Sequence, residues 1–270
     1  MRGRIEMRLR AALPLLLALA FACALPARAG QGCEEIALSG RDAVRSLELA
    51  GRTVAALERS GASVALVSRA GQDLGKYGLR YSHMGIAVRD HPAGRWSVVH
   101  VLNDCGAASS VLYVEGMGNF FLSDLFRFEG HILVPGPASQ AALVRLLGER
   151  TALAHSLHEP RYNMLSFPFS TRYQNSNQWV LETWAAAAAP QQVATRAQAQ
   201  QWLRQAGYAP ITIEIPAATR LGARMFRANV AFDDHPFDRR MAGRIDTVTV
   251  ESILRFVQAG DRDAEVLVVE

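Results

Sequence analysis

The runs YSHMGIAVRD and RWSVVHVLND, joined by the Pro/Gly turn in HPAGR, constrain this chain more than any other stretch. Both are rich in apolar and β-branched residues and the turn residues break them cleanly, so they predict an antiparallel hairpin. Period-two geometry puts His83, Gly85 and Ala87 on one face and Met84, Ile86 and Val88 on the other. In the second run His100 shares a face with Val98 and Leu102. Pairing therefore brings His83 and His100 onto one surface at a strand spacing of roughly 5 Å, where two imidazoles can act as a general base and its orienting partner. Gly85 leaves the face beside His83 shallow enough for a substrate to approach the ring. Asn103 and Asp104 compete with His100 for the orienting role, or are turn residues before Gly106. The plainer reading of His83 is a histidine satisfied by a neighbouring carbonyl.

The remaining pattern places helices around that hairpin. Apolar residues at three-and-four spacing predict a helix from Ser39 to Gly61 that covers a sheet, and ASVALVSRAG predicts a strand. SSVLYVEGMGNFFLSDLFRFEGHILVPGP reads as short strands and turns ending in the strand HILVPG. SQAALVRLLGERTALAH predicts an amphipathic helix capped by Ser139, RAQAQQWLRQAG a further helix, and RIDTVTVESILRFVQ a strand. The class expected is α+β, an antiparallel sheet packed with helices, in one domain over 30–270 with a C-terminal extension from about residue 190.

Residues 1–29 stand apart. MRGRIEMRLR is basic, AALPLLLALAFACAL is apolar, and Ala27-Arg28-Ala29 ends in small residues, the pattern of a signal peptide cleaved before Gly30. The expected location is periplasmic or secreted. The apolar run falls short of the roughly 20 residues a spanning helix needs, so no membrane span is expected. Cleavage removes five arginines and one glutamate, taking the formal charge from +4 to zero, and nucleic acid is not suggested as a partner. Cys33 and Cys105 would enter an oxidising compartment, either as a disulfide or as separate buried thiols. No Cys/His spacing suggests a metal, and GMGNFF lacks the lysine and helix of a phosphate loop, so neither metal nor cofactor is expected.

YQNSNQWVLETWAAAAAP carries the remaining chemistry. Asn175 and Gln178 have capping-box spacing, which makes Asn175 the N-cap of a helix and puts Ser176 at its first position. There the free backbone N–H groups and the positive end of the helix dipole favour an anion or an oxyanion. The dipole is worth only about 0.3–2 kcal/mol, so an alcohol needs a base as well, and His83 would supply it. Asn175, Asn177, Tyr173, Trp179 and Gly85 are the expected substrate-facing residues, and in a non-catalytic binding cleft Trp179, Tyr173 and Phe169 would line it. The competing readings are a plain cap on a helix held by Trp179, Val180 and Trp184, or a ligand pocket without a reaction. Asp233, Asp234 and His235 in AFDDHPFDRR read as a turn, or as metal ligands or triad members.

A strand-borne histidine in SHMGIAV, a second polar residue on the next strand and a later helix N-terminus form an order that resembles circularly permuted papain-like proteins, among them cell-wall amidases and lipid acyltransferases. Such proteins normally carry cysteine at the helix position, and here it is Ser176. The resemblance implies His83 as base, His100 as orienter and Ser176 in the nucleophile's place, acting on an amide or ester of cell-envelope material, a small molecule or peptide. The alternative it leaves is a non-catalytic protein of the same fold that binds a peptide, glycan or lipid. A third reading is a structural accessory of an envelope complex. The words YSHMGIAV, WSVVHVLNDCG, YVEGMGNFF, SFPFSTRYQNSNQWVLE and FDDHP together are similar to an exported bacterial family known as domain of unknown function 2145, to which no reaction is assigned.

Overall fold

The computed structural model describes residues 38–104, 107–122 and 125–270. The expected leader and both Cys33 and Cys105 lie outside the described residues. Helix α1 (Gly40–Ser60) begins where Ser39 Oγ accepts the Asp42 N–H at 3.1 Å and ends at Gly61, whose φ of 69° suits a residue without Cβ. It leads into β1 (Val64–Ala70), then the hairpin β2 (His83–His91) and β3 (Gly94–Asn103), β4 (Ser110–Gly116), the short helix α2 (Met117–Leu122) and β5 (Arg127–Val134). Helices α3 (Pro137–Gly148), α4 (Thr151–Ser156), α5 (Ser176–Ala188) and α6 (Arg196–Gln205) follow. The last part holds β6 (Ile211–Glu214), α7 (Ala217–Phe226), α8 (Phe237–Met241), β7 (Arg244–Thr247), α9 (Val250–Gly260) and β8 (Glu265–Val269).

Six strands form one antiparallel sheet in the order β4-β3-β2-β1-β5-β8, while β6 and β7 pair as a separate ribbon. Helices cover both faces. On one, Met84, Ile86, Val99 and Leu133 pack with Trp179, Val180 and Trp184 of α5, Leu143 of α3 and Ile253 of α9. On the other, Ala87, Val98 and Ile132 pack with Leu49 and Leu57 of α1 and Phe120 and Phe121 of α2. The class is the α+β sheet packed by helices that the pattern predicts. Every residue of β1 is buried, because a central strand covered on both sides has no solvent face to alternate with.

Three elements differ from expectation. GMGNFF is not turn and strand: Met117–Leu122 is helical and buries Met117, Phe120 and Phe121. The tail is not one strand. β7 stops at Thr247, where a reciprocal capping box between Thr249 and Ser252 starts α9, with Val250, Ile253, Leu254 and Val257 on its buried face. The helix expected from Ser139 starts instead at Pro137, whose missing N–H suits the first turn, and it breaks after Gly148 before α4. Beyond residue 190 the chain returns to the main body, since β8 pairs with β5. Among the described residues no helix is long and apolar enough to cross a membrane.

Candidate functional site

The hairpin register sets the first half of the site. Ala87 pairs with Val98 and Ile86 with Val99, so the His83 and His100 rings meet edge-on with centroids 5.1 Å apart. Gly85 makes that meeting fit. A Cβ there would lie 2.5 Å from Val98 Cγ1, 3.1 Å from His100 Cβ and 3.4 Å from a Phe120 ring carbon. The shallow face expected beside His83 is thus already filled, and Gly85 admits the second histidine and Phe120 rather than a substrate.

The second half comes from α5. This helix packs on the Met84 and Ile86 face, while His83 belongs to the opposite one, but its N-terminus reaches the start of β2. Asn177 makes the junction: its Oδ1 accepts the Met84 N–H at 3.0 Å and its Nδ2 donates to the Ser82 carbonyl at 3.2 Å, gripping the backbone on both sides of His83. Asn175 caps the helix, accepting the Gln178 N–H at 2.7 Å, and its Nδ2 faces Thr247 Oγ1 and the Val248 and Met164 carbonyls. The capping box closes through a third residue. Ser166 Oγ accepts the Asn175 N–H at 2.9 Å and donates to Gln178 Oε1 at 2.7 Å.

Ser176 Oγ then sits 3.2 Å from His83 Nδ1. His83 Nε2 lies 2.8 Å from His100 Nδ1, and His100 Nε2 lies 2.9 Å from Glu115 Oε1, a contact somewhat off the line of a hydrogen bond. Glu115 stands opposite Val98 on β4, and His100 opposite Tyr113, so the acid reaches the ring diagonally across the ladder. The direction of this chain follows from elementary donor counting. A carboxylate offers only acceptors, so His100 presents N–H at Nε2 and a lone pair at Nδ1; His83 must then donate from Nε2, leaving its Nδ1 lone pair toward Ser176. Burial, reinforced by the nearby Arg69 and His100, pushes His83 well below its ordinary range. Burial lowers His100 too, against the opposing pull of Glu115. Both rings are therefore neutral near pH 7, as a base at Ser176 requires.

Tyr162 lines the same cavity as Ser176, and burial pushes its phenol up to about 12 against a smaller opposing pull from Ser176, so it remains a donor at neutral pH. The N–H groups of Ser176 and Asn177 open the helix, where no helical carbonyl can reach them. All three residues border a cavity of about 410 Å³ whose walls include Leu79, Met164, Leu165, Ile213 and Ile215. Ser176 itself is 8% exposed, at the bottom of this space.

Other expected residues stand elsewhere. Trp179 is fully buried, its indole N–H bonded to the Ala154 carbonyl at 3.1 Å, so it is core and faces no substrate. Tyr173 lies outside the cavity, with its ring under Arg172 and its hydroxyl 3.5 Å from Asp233. Phe169 lines a different, open depression together with Asp234 and His235. Asn103 is the last residue of β3, paired with Ser110, and Asp104 follows it outside the strand, accepting the Ser109 hydroxyl at 2.6 Å. His235 is held by Asp234 at 3.0 Å and the Asp246 carbonyl at 2.9 Å, and Asp234 also accepts the Phe167 N–H, so the pair braces a loop. Among the described residues no group of three or more His, Cys, Asp or Glu could hold a metal ion. Glu115 and Tyr162 were not singled out from sequence. Glu115 follows His100 by a strand-to-strand step that alternation alone could have traced, whereas nothing local marks Tyr162.

The sequence matches, over residues 56–257, the model of a family described as an uncharacterized protein conserved in bacteria (DUF2145). No curated protein and no solved structure matches.

Proposed function

From the premise that this chain belongs to the uncharacterized bacterial family DUF2145, whose description names no reaction, we propose that it is a serine-dependent acyl hydrolase or acyl transferase of permuted papain-like type. Its Ser176 attacks an ester or amide of envelope material after residues 1–29 are removed on export. The observation that carries this reading is the directed chain Glu115–His100–His83–Ser176, which ends in an imidazole lone pair 3.2 Å from the hydroxyl. His83 Nδ1 takes the Ser176 proton as Oγ bonds the carbonyl carbon. The oxyanion is met by the Ser176 and Asn177 N–H groups and the Tyr162 hydroxyl. As the carbon–heteroatom bond breaks, the leaving alcohol or amine takes the proton from His83, leaving acyl-Ser176. Water or an acceptor alcohol then gives its proton to His83 and takes the acyl group, and Ser176 regains its proton.

The apolar cavity walls also suit a second reading, in which the pocket binds an acyl chain without cleaving anything. A fluorophosphonate probe with a short alkyl group separates the two. An adduct mapped to Ser176 by mass spectrometry, absent in Ser176→Ala and in His83→Ala, supports the enzyme. If no adduct forms while a fluorescent fatty acid binds the wild type and Ser176→Ala equally, the protein is a binder.

A further inference from the structure

Among the described residues, the four most exposed large apolar side chains are Phe237 at 69%, Leu221 at 64%, Met241 at 62% and Met225 at 59%, and all belong to α7 or α8. These helices spring from the same end of the β6–β7 ribbon: Ile215, just past β6, donates its N–H to the Gly243 carbonyl just before β7, and Arg220 of α7 reaches the Ile215 carbonyl. Helix α7 buries none of its ten residues, although it is strongly two-faced. Thr219, Ala223 and Arg227, four apart, line the cavity that leads to Ser176. At 100° per residue Leu221 and Met225 project from the opposite side, where both are exposed. Arg220, Arg224, Arg239 and Arg240 accompany this apolar surface against one acid of the two helices, Asp238. Asp246 from β7 is taken up by Arg239, so the local charge stays positive.

A short helix with an apolar outer face, a fringe of arginine and no protein packed on that face has the makeup of an interfacial anchor. A second protein would have to bury four flexible or aromatic side chains while leaving the arginines to face something negative. An anionic bilayer meets both demands at once. We propose that α7 and α8 dock this protein on an anionic phospholipid surface, with α7 standing between the lipid and the acyl cavity. The proposal deepens the reading of Ser176 as an acyl-transfer site by naming lipid as the source of the acyl chain.

The test is co-sedimentation of the chain starting at Gly30 with vesicles of phosphatidylglycerol or of phosphatidylcholine, for the wild type and the double variant Leu221→Asp/Met241→Asp. Both residues are exposed, so the variant keeps its fold, which the thermal midpoint checks. The wild type is expected to partition at least tenfold better to the anionic vesicles, the variant to lose at least tenfold, and 0.5 M salt to reduce wild-type binding severalfold. Failure of the wild type to sediment, or equal sedimentation of both proteins, overturns the proposal. So does size-exclusion behaviour showing a wild-type dimer that the variant dissociates, which would make the face a contact between copies. Sedimentation requires no turnover, and short-probe labelling of Ser176 is expected to be the same in both proteins. Docking and catalysis can thus fail separately.

Discussion

Glu115→Gln tests the logic of the site with the smallest change in shape. The carboxylate oxygen 2.9 Å from His100 Nε2 forces an N–H at that nitrogen, and through the 2.8 Å contact between the rings it leaves His83 Nδ1 unprotonated toward Ser176. With the carboxylate present, the reversed tautomers would set two lone pairs against each other and forfeit the attraction of an N–H for a carboxylate 2.9 Å away, worth at most about 3 kcal/mol. An amide can turn either its oxygen or its NH₂ to the ring, so that bias vanishes, as does the negative charge that stabilises a charged imidazole pair during proton transfer. With the two tautomers equal in energy, about half of the molecules keep the reactive lone pair, so the first effect alone slows Ser176 acylation by only about twofold. Losing the charge extends the loss toward the ~10⁴ seen when a triad carboxylate becomes an amide. The assay is the second-order rate of fluorophosphonate labelling at Ser176, with urea unfolding measured alongside. The glutamine is isosteric and Glu115 is partly exposed, so stability should change by less than about 1 kcal/mol. Labelling at the wild-type rate in a protein whose Ser176→Ala form is inert would refute the directed-chain argument.

Asn177→Ala frees the Ser82 carbonyl and Met84 N–H around His83, so urea unfolding should show a loss of about 1–3 kcal/mol and labelling should fall further than that loss explains; unchanged labelling would remove Asn177 as a positioning residue. Gly85→Ala drives a methyl into Val98 and His100 and should cost about 1–3 kcal/mol in thermal or urea unfolding, with slower labelling. Glu182 is fully buried and holds Arg196 Nε at 2.7 Å, with Gln174, Gln178 and Gln200 around it, so Glu182→Ala strands a buried guanidinium and should destabilise by about 3–5 kcal/mol. Burial holds His83, His100 and His131 neutral in the folded chain, while the unfolded imidazoles take up protons below about 6.5. Below that pH the unfolded state binds more protons, so stability should be complete above it and fall by up to about 1.4 kcal/mol per pH unit and per histidine on acidification. A thermal midpoint that stays level between pH 7 and 5 would contradict this, whereas labelling should retain its neutral base to a pH well under the ordinary histidine range.

The parts of this site that local geometry dictates were legible in the amino-acid order. Alternation placed His83 and His100 on one face of a hairpin, because side chains in a strand repeat every two residues. Cap spacing put Ser176 at the first position of a helix, because the orphan N–H groups of a helix start select Asn at the cap. Tertiary structure alone decided what no local period encodes. Trp179, read as a cleft residue, became core because both sides of the sheet are roofed by helices. Gly85, read as an opening, became a point of closest packing once His100 and Phe120 arrived from other elements. Glu115 joined the site through β4 and Tyr162 through the segment before α5, and the distance from Glu115 to His100 is set by sheet register. The helix in GMGNFF likewise forms because Phe120 and Phe121 gain burial under α1, a stabilisation that exists only once the sheet and that helix have met.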